Sequence, residues 1–371
     1  LSDLHIGLKL MNRDLREDQE YILAEVVEAA AQEKPDAIVI AGDIYDKAVP
    51  SAEAVEIFDR FLGELTEAVP SAVIMMISGN HDSPERLAFG AKILSRQQIY
   101  VAGTCPQIPE DHLKKVTFQD EWGETEVWML PFVKPGYVRK LMEESKKETD
   151  REDGAGEQRD RDGETEIKVK NGWEEIRRDY NEAVKFLLER EQVDTEKRNI
   201  LISHQFYTAG GETPKTSDSE TISVGGLDQV DISCLAPFSY VALGHIHRPQ
   251  KMGRETLRYS GTPLKYSFSE ADHKKSVTVV ELLEKGNVTV STVPLIPRRD
   301  MRKLRGTYMD VTAKDHYTAE NKMDYLQITL TDEEDVPGAL QKLRTVYPNL
   351  MRLEYDLSLI HISEPTRLAL I

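Results

Sequence analysis

At five places this chain presents residues that can bind a metal or move a proton, and four of them directly follow short apolar runs. Ala37-Ile38-Val39-Ile40 leads into Ala41-Gly42-Asp43-Ile44-Tyr45-Asp46, and Ala72–Ile77 into Ser78-Gly79-Asn80-His81-Asp82. Asn199–Ile202 leads into Ser203-His204, and Tyr240–Leu243 into Gly244-His245-Ile246-His247. The fifth place, Asp3-Leu4-His5, lies at the start of the sequence. A short β-branched run ending in Gly-Asp reads as a buried parallel strand that delivers a carboxylate to its carboxyl edge. Open α/β sheets build their sites at that edge.

The segments between these runs support an α/β reading. Arg16 to Gln32 carries Tyr21, Ile22, Val26, Ala29 and Ala30 at helical spacing, and Pro50-Ser51 opens a second helix with Val55, Phe58, Leu62 and Leu65 on one face. Pro84 opens a third helix expected to run through Leu94, followed by a strand at Ile99–Ala102. Strand and helix in alternation predict a layered α/β domain. Lys115–Phe118 and Thr125–Leu130 read as paired strands, and Ser276–Leu282 with Val288–Val293 as a closing antiparallel segment. Glu143–Lys170 is almost all charged or small and is expected to be a disordered loop. Trp173–Arg190 recovers helical spacing. A boundary at Pro294 sets residues 1–293 apart as the main domain. A small α+β unit follows over 294–356, with strands at Tyr325–Leu330 and Leu350–Tyr355 around a helix at Val336–Val346. Residues 357–371 break the preceding pattern and are expected to be a non-native tail. The chain opens at Leu1 without Met, and a strand is expected to precede it.

Composition narrows the chemistry. Lys and Arg total 47 against 65 Asp and Glu, a formal charge of −18, which argues against a generally basic nucleic-acid coat but leaves room for a local basic strip. Two cysteines, Cys105 and Cys234, are too few for a disulfide framework or a thiolate zinc site. No apolar run approaches the roughly 18–20 residues that span a bilayer, and a reducing, cytoplasmic setting is expected.

The candidate ligands are therefore carboxylates, imidazoles and an amide. Asp3 and His5 are two apart, as are His245 and His247, and in an extended segment such residues share a face. Asp43, Asn80 and His204 add single ligands from further strand ends. This donor mix suits manganese, ferrous iron or zinc rather than a structural thiolate site. Seven ligands exceed one coordination shell, whereas two ions about 3.5–4 Å apart with a shared carboxylate would use them all. Taken singly, His204 could be a structural histidine, Asp46 a helix cap and Asn80 a turn residue. The remaining histidines, His112, His273, His316 and His361, are expected at the surface.

Asp-x-His, Gly-Asp-x-x-Asp, Gly-Asn-His-Asp, a lone His and Gly-His-x-His, in this order, resemble the pattern of the calcineurin-like metallophosphoesterases. Within them the chain is similar to the SbcD family of bacterial nuclease subunits, through Ile40–Pro50, Ile77–Leu87 and Tyr259–Glu270, over about Leu1 to Tyr355. The resemblance implies a metallophosphoesterase β-sandwich flanked by helices, with the small α+β unit as a capping domain. It implies that Asp3, His5, Asp43 and His247 hold one divalent ion, and that Asp43, Asn80, His204 and His245 hold a second. By the same resemblance His81 is the catalytic imidazole and the Asp46 carboxylate its orienting partner. Manganese, DNA, an SbcC-like ATPase and a homodimer within a heterotetramer are the implied metal, substrate, partner and assembly. The implied activity is 3′–5′ exonuclease on duplex DNA and endonuclease on single strands and hairpins. Arg86 and Lys265 are candidate DNA phosphate contacts. The runner-up is a general phosphoesterase on nucleotides or small phosphodiesters.

Overall fold

The computed structural model describes residues 1–153, 179–220, 228–317 and 321–356. They divide into two units, Leu1–Leu264 with His273–Ile296, and Lys265–Asp272 with Pro297–Ile371. The main boundary thus falls at Ile296, close to the expected Pro294. The transfer of Lys265–Asp272 to the second unit has no signal in the sequence.

The first unit is built on two sheets. Three parallel strands, Ala37–Ala41, Val73–Ile77 and Ile99–Ala102, form the smaller one, with Val73–Ile77 in the middle. The chain start lies along its edge: the Ala41 N–H donates to Leu1 O, the Asp3 N–H to Gly42 O and the His5 N–H to Asp43 O. The larger sheet has six strands in the order Gln250–Met252, Arg254–Tyr259, Tyr240–Gly244, Arg198–His204, Gly123–Leu130, Lys114–Asp120. Its four inner strands are parallel and its two outer strands antiparallel to their neighbours.

Alternation along the strands decides how the sheets meet. Ala41, Met75, Ile77 and Ala102 of the small sheet share one buried cluster with Val127, Met129 and Ile202 of the large one, which makes a β-sandwich. On the other face of the large sheet, Trp128, Leu130, Leu201, Val241 and Leu243 pack with Val138 and Leu141 of one helix and Ala183, Val184 and Leu187 of another. The strand ends of both sheets therefore lie beside one another, and the ligand-bearing residues follow directly from those ends.

The helices Arg16–Glu33 and Ala52–Ala68 pack side by side, and Ser51 caps the second by accepting the Ala54 N–H. Three expectations need correction. The helix expected from Pro84 to Leu94 is two single turns, Pro84–Leu87 and Ala91–Leu94, because Gly90 between them takes a left-handed conformation. The expected loop over 143–170 begins as helix, since Pro135–Asp153 is continuous; residues 154–170 lie outside the described residues. Charge spacing explains this helix: Arg139 pairs with Glu143 and Lys140 with Glu144 one turn on. His273, expected at the surface, is buried, whereas His112 is exposed beside Glu191.

The helix expected over 173–190 is described as Tyr180–Arg190, and residues 357–371 lie outside the described residues. The second unit has a parallel sheet of Met301–Gly306, Tyr325–Leu330 and Leu350–Tyr355 with the helix Ala339–Val346. Leu326, Ile328, Leu330, Leu343, Tyr347 and Leu350 form its core. The strand Met301–Gly306 was not expected, because its alternate positions are Arg and Lys.

Candidate metal centre

Each ligand reaches the site by a local device. Asp43 follows the strand Ala37–Ala41 in a left-handed conformation (φ 49°), and Asp3, His5 and His245 also have positive φ. Such backbone costs about 1–3 kcal/mol per residue and persists where surrounding structure demands it. Here the demand is that side chains from adjacent strand ends converge. The crossing is so close that a Cβ at Gly79 would collide with Asp43, and one at Gly244 with the Ala41 carbonyl.

The polar atoms converge around Asp43. Its Oδ2 lies 3.3 Å from His204 Nε2 and 3.8 Å from His5 Nε2. Its Oδ1 accepts the His81 N–H at 2.8 Å. His204 donates from Nδ1 to the Ala41 carbonyl at 2.7 Å, which turns Nε2 inward to 3.1 Å from Asn80 Oδ1. Asn80 Oδ1 also lies 2.8 Å from His245 Nδ1. On the other side, His5 Nε2 and His247 Nε2 face each other at 3.1 Å. Asp3 accepts the His245 N–H at 3.0 and 3.1 Å. Ligand atoms of Asp3, His5 and His247 lie within 4.8 Å of one another, as do those of Asp3, Asp43 and His204.

A model of the calcineurin-like phosphoesterase family matches residues 1–249. The chain belongs to that family. A second family model, described as the type 5 capsule protein repressor C-terminal domain, matches residues 297–369. The chain is 31% identical over 355 residues to a Staphylococcus epidermidis protein named as the SbcD component of the nuclease SbcCD, covering 95% of this chain and 83% of the relative. That places it in the SbcD family within the calcineurin-like phosphoesterases. A dimetal phosphatase from Danio rerio aligns over 80% of this chain and 94% of its own at 11% identity, with a TM-score of 0.41, a likeness too slight to bear on the fold or the site.

The electrostatics of this calcineurin-like site suit cations. Asp3, His5, Asp43, His204, His245 and His247 are all buried. Burial raises the Asp3 carboxyl, lowers His5 well below the usual imidazole range and lowers His245 to about 3. Burial alone would also lower His204, but the charge and hydrogen bond of Asp43 prevail and raise it to about 9. Asp43, opposed by burial, is lowered by His204, His5 and His81. Without a metal, then, a proton on His204 compensates the buried carboxylates. Several acceptor atoms facing one another at hydrogen-bond distance are a donor set that divalent cations fit.

All seven expected ligands come together, and His81 stands beside them with its ring 4.8 Å from that of His5. One expectation is corrected at the level of the atom. His81 Nδ1 donates to the backbone carbonyl of Asp46 at 2.9 Å, so main chain, not the Asp46 carboxylate, orients the ring. Arg86 is exposed in the turn after the Gly-Asn-His-Asp loop. Lys265 lies in the second unit, where it pairs with Asp300 at 2.9 Å and donates to the Ala271 carbonyl, leaving the ammonium engaged.

Asp82, the last letter of Gly-Asn-His-Asp, has a role that the sequence did not disclose. Its buried carboxylate accepts the N–H groups of Ile44, Tyr45 and Gly79 at 3.1, 3.0 and 2.9 Å. It therefore ties the Asp43 loop to the Asn80–His81 loop. Burial and the charge of Asp43 push its carboxyl up to about 6. The available signal was an acidic residue closing a loop that directly follows a buried strand.

Proposed function

We propose that this SbcD-family chain is a divalent-metal-dependent phosphodiesterase that cleaves DNA, as a 3′–5′ exonuclease on duplexes and an endonuclease on single strands and hairpins. The observation that carries the reading is the position of Asp43, whose one carboxylate faces both His5 and His204. Asp3, His5, Asp43 and His247 would hold one ion, and Asp43, Asn80, His204 and His245 the other. Manganese suits these nitrogen and oxygen donors. When bound, such a pair neutralises phosphodiester charge and makes a water a competent nucleophile near neutral pH.

The chain's own groups do the rest. With its Nδ1 hydrogen committed to the Asp46 carbonyl, His81 can exchange a second proton only at Nε2. There it protonates the departing oxygen, which would otherwise leave as an alkoxide. Asp82 keeps His81 and Asp43 in register by holding both loops. Phe132, with its ring 6.2 Å from those of His204 and His245, gives that side of the site an apolar wall. Arg86 is assigned a contact with a DNA phosphate.

The named relative supports an SbcC-like ATPase as partner, with a homodimer of this chain inside a heterotetramer. A cytoplasmic setting agrees with two free cysteines. No helix among the described residues is long and apolar enough to cross a membrane. The test is manganese-dependent cleavage of a labelled hairpin and a linear duplex by the parent and by His81→Ala. The expected loss is about 10²–10⁴-fold with both ions still bound. Hydrolysis of bis-p-nitrophenyl phosphate with no cleavage of either DNA would replace this reading with a general phosphoesterase.

A further inference from the structure

His247 is held at every polar atom but one by residues outside the five ligand-bearing stretches. Its backbone N–H donates to Glu220 Oε1 at 2.7 Å. Its carbonyl accepts from the buried ammonium of Lys275 at 2.9 Å and from the Thr262 N–H at 3.2 Å. Its Nδ1 lies 2.7 Å from Ser219 Oγ. The remaining atom, Nε2, faces His5 Nε2.

The segment that supplies Ser219 and Glu220 is itself braced. Glu220 accepts the Ser217 N–H through Oε2 at 2.9 Å and returns its own N–H to the Ser217 carbonyl at 3.2 Å. One carboxylate oxygen thus closes the turn while the other holds His247. Two residues earlier, the Gln250 side chain bonds both the N–H and the carbonyl of Lys215, at 3.0 and 2.8 Å. Gln250 is three residues beyond His247, so the turn is fastened to the loop it serves. Lys275 also donates to Thr262 Oγ1 at 2.6 Å, which anchors the ammonium from a second direction.

A neutral imidazole carries its hydrogen on one nitrogen and a lone pair on the other. An imidazole that binds a metal through Nε2 must keep its hydrogen on Nδ1, and the partner of that hydrogen fixes both tautomer and ring orientation. We propose that Ser219 is a positioning residue for His247. Its hydroxyl accepts the Nδ1 hydrogen and so presents the Nε2 lone pair toward His5 and the first ion. Glu220 and Lys275 fix the backbone from which the ring hangs. The proposal rests on the two-ion reading for its use, but the tautomer exists without the ion.

The test uses the full chain and Ser219→Ala, Ser219→Cys and Ser219→Thr. Long-range nitrogen–proton spectra of the metal-free proteins report which ring nitrogen of His247 carries hydrogen, and calorimetry with Mn²⁺ alone reports the two affinities. The parent and Ser219→Thr are expected to show the Nδ1–H form. Ser219→Ala and Ser219→Cys are expected to show a mixture, with the weaker of the two effects on the thiol. The first ion should then bind about 10–100-fold more weakly in the alanine variant while the second is unchanged. An alanine variant that keeps a pure Nδ1–H form and both affinities overturns the proposal, even if its melting temperature falls. A tautomer shift in a chain whose parent binds no Mn²⁺ upholds Ser219 and refutes the two-ion reading instead.

Discussion

His81 receives its orientation from an atom that does not titrate. A carboxylate in that place would gain a proton in acid and change its hold on the ring, whereas the Asp46 carbonyl accepts the same hydrogen bond at any pH. Asp46→Asn should therefore retain cleavage within about 10-fold of the parent, far above His81→Ala. A loss in kcat equal to that of His81→Ala would return the orienting role to the carboxylate. Asp82 is the opposite case, a side chain whose bonds go to the main chain. Asp82→Ala removes one acceptor from three N–H groups and should destabilise the fold by about 3 kcal/mol, read by urea denaturation. Residue identity was legible in the sequence for Asp43, Asn80, His81, His204, His245 and His247, because each stands where a strand must end. The atom that acts was not: in the sequence Asp46 is written as a carboxylate, and the carbonyl at work is common to every residue.

Among the elements, strands were the most readable, because runs such as Ile74–Ile77 have few other uses. Helix Pro135–Asp153 was misread because its charges were weighed as composition, while Arg139–Glu143 and Lys140–Glu144 show that spacing is what counted. Charge also fastens the sheet. Glu126, buried on the strand Gly123–Leu130, accepts from Lys115 at 2.8 Å and Lys197 at 3.0 Å. Burial would raise its carboxyl, but the two ammonium groups prevail and the value falls below the ordinary 4.5. A carboxyl lowered in the folded state contributes stability above its unfolded value, and that contribution disappears as pH falls through the folded one. Glu126→Gln should thus be less stable than the parent at pH 7, and the gap should narrow below about pH 4.5. Denaturation midpoints at both pH values measure it, and a gap that widens in acid would mean that the ion pairs contribute nothing.

At the scale of the molecule, the order of the five ligand stretches was enough to foresee the sandwich, since each stretch needs its own strand end and two sheets bring them together. The reassignment of Lys265–Asp272 was not foreseeable, because a chain that leaves one unit for eight residues and returns carries no compositional mark. Net charge makes the last prediction sharper. With a formal charge of −18, this chain will gather divalent cations loosely over its surface, so stabilisation by manganese alone proves little. An ion bound only by the folded state adds about 2.7 kcal/mol when present at 100 times its Kd, and two such sites add up separately. Asp43 faces both ligand sets, whereas Asn80 faces His204 and His245. Saturating Mn²⁺ should raise the melting temperature of the parent most and that of Asn80→Ala by roughly half as much. In Asp43→Asn it should have little effect, and a chelator should reverse each rise. An undiminished rise in Asp43→Asn would place the bound ions on the acidic surface and remove them from the site.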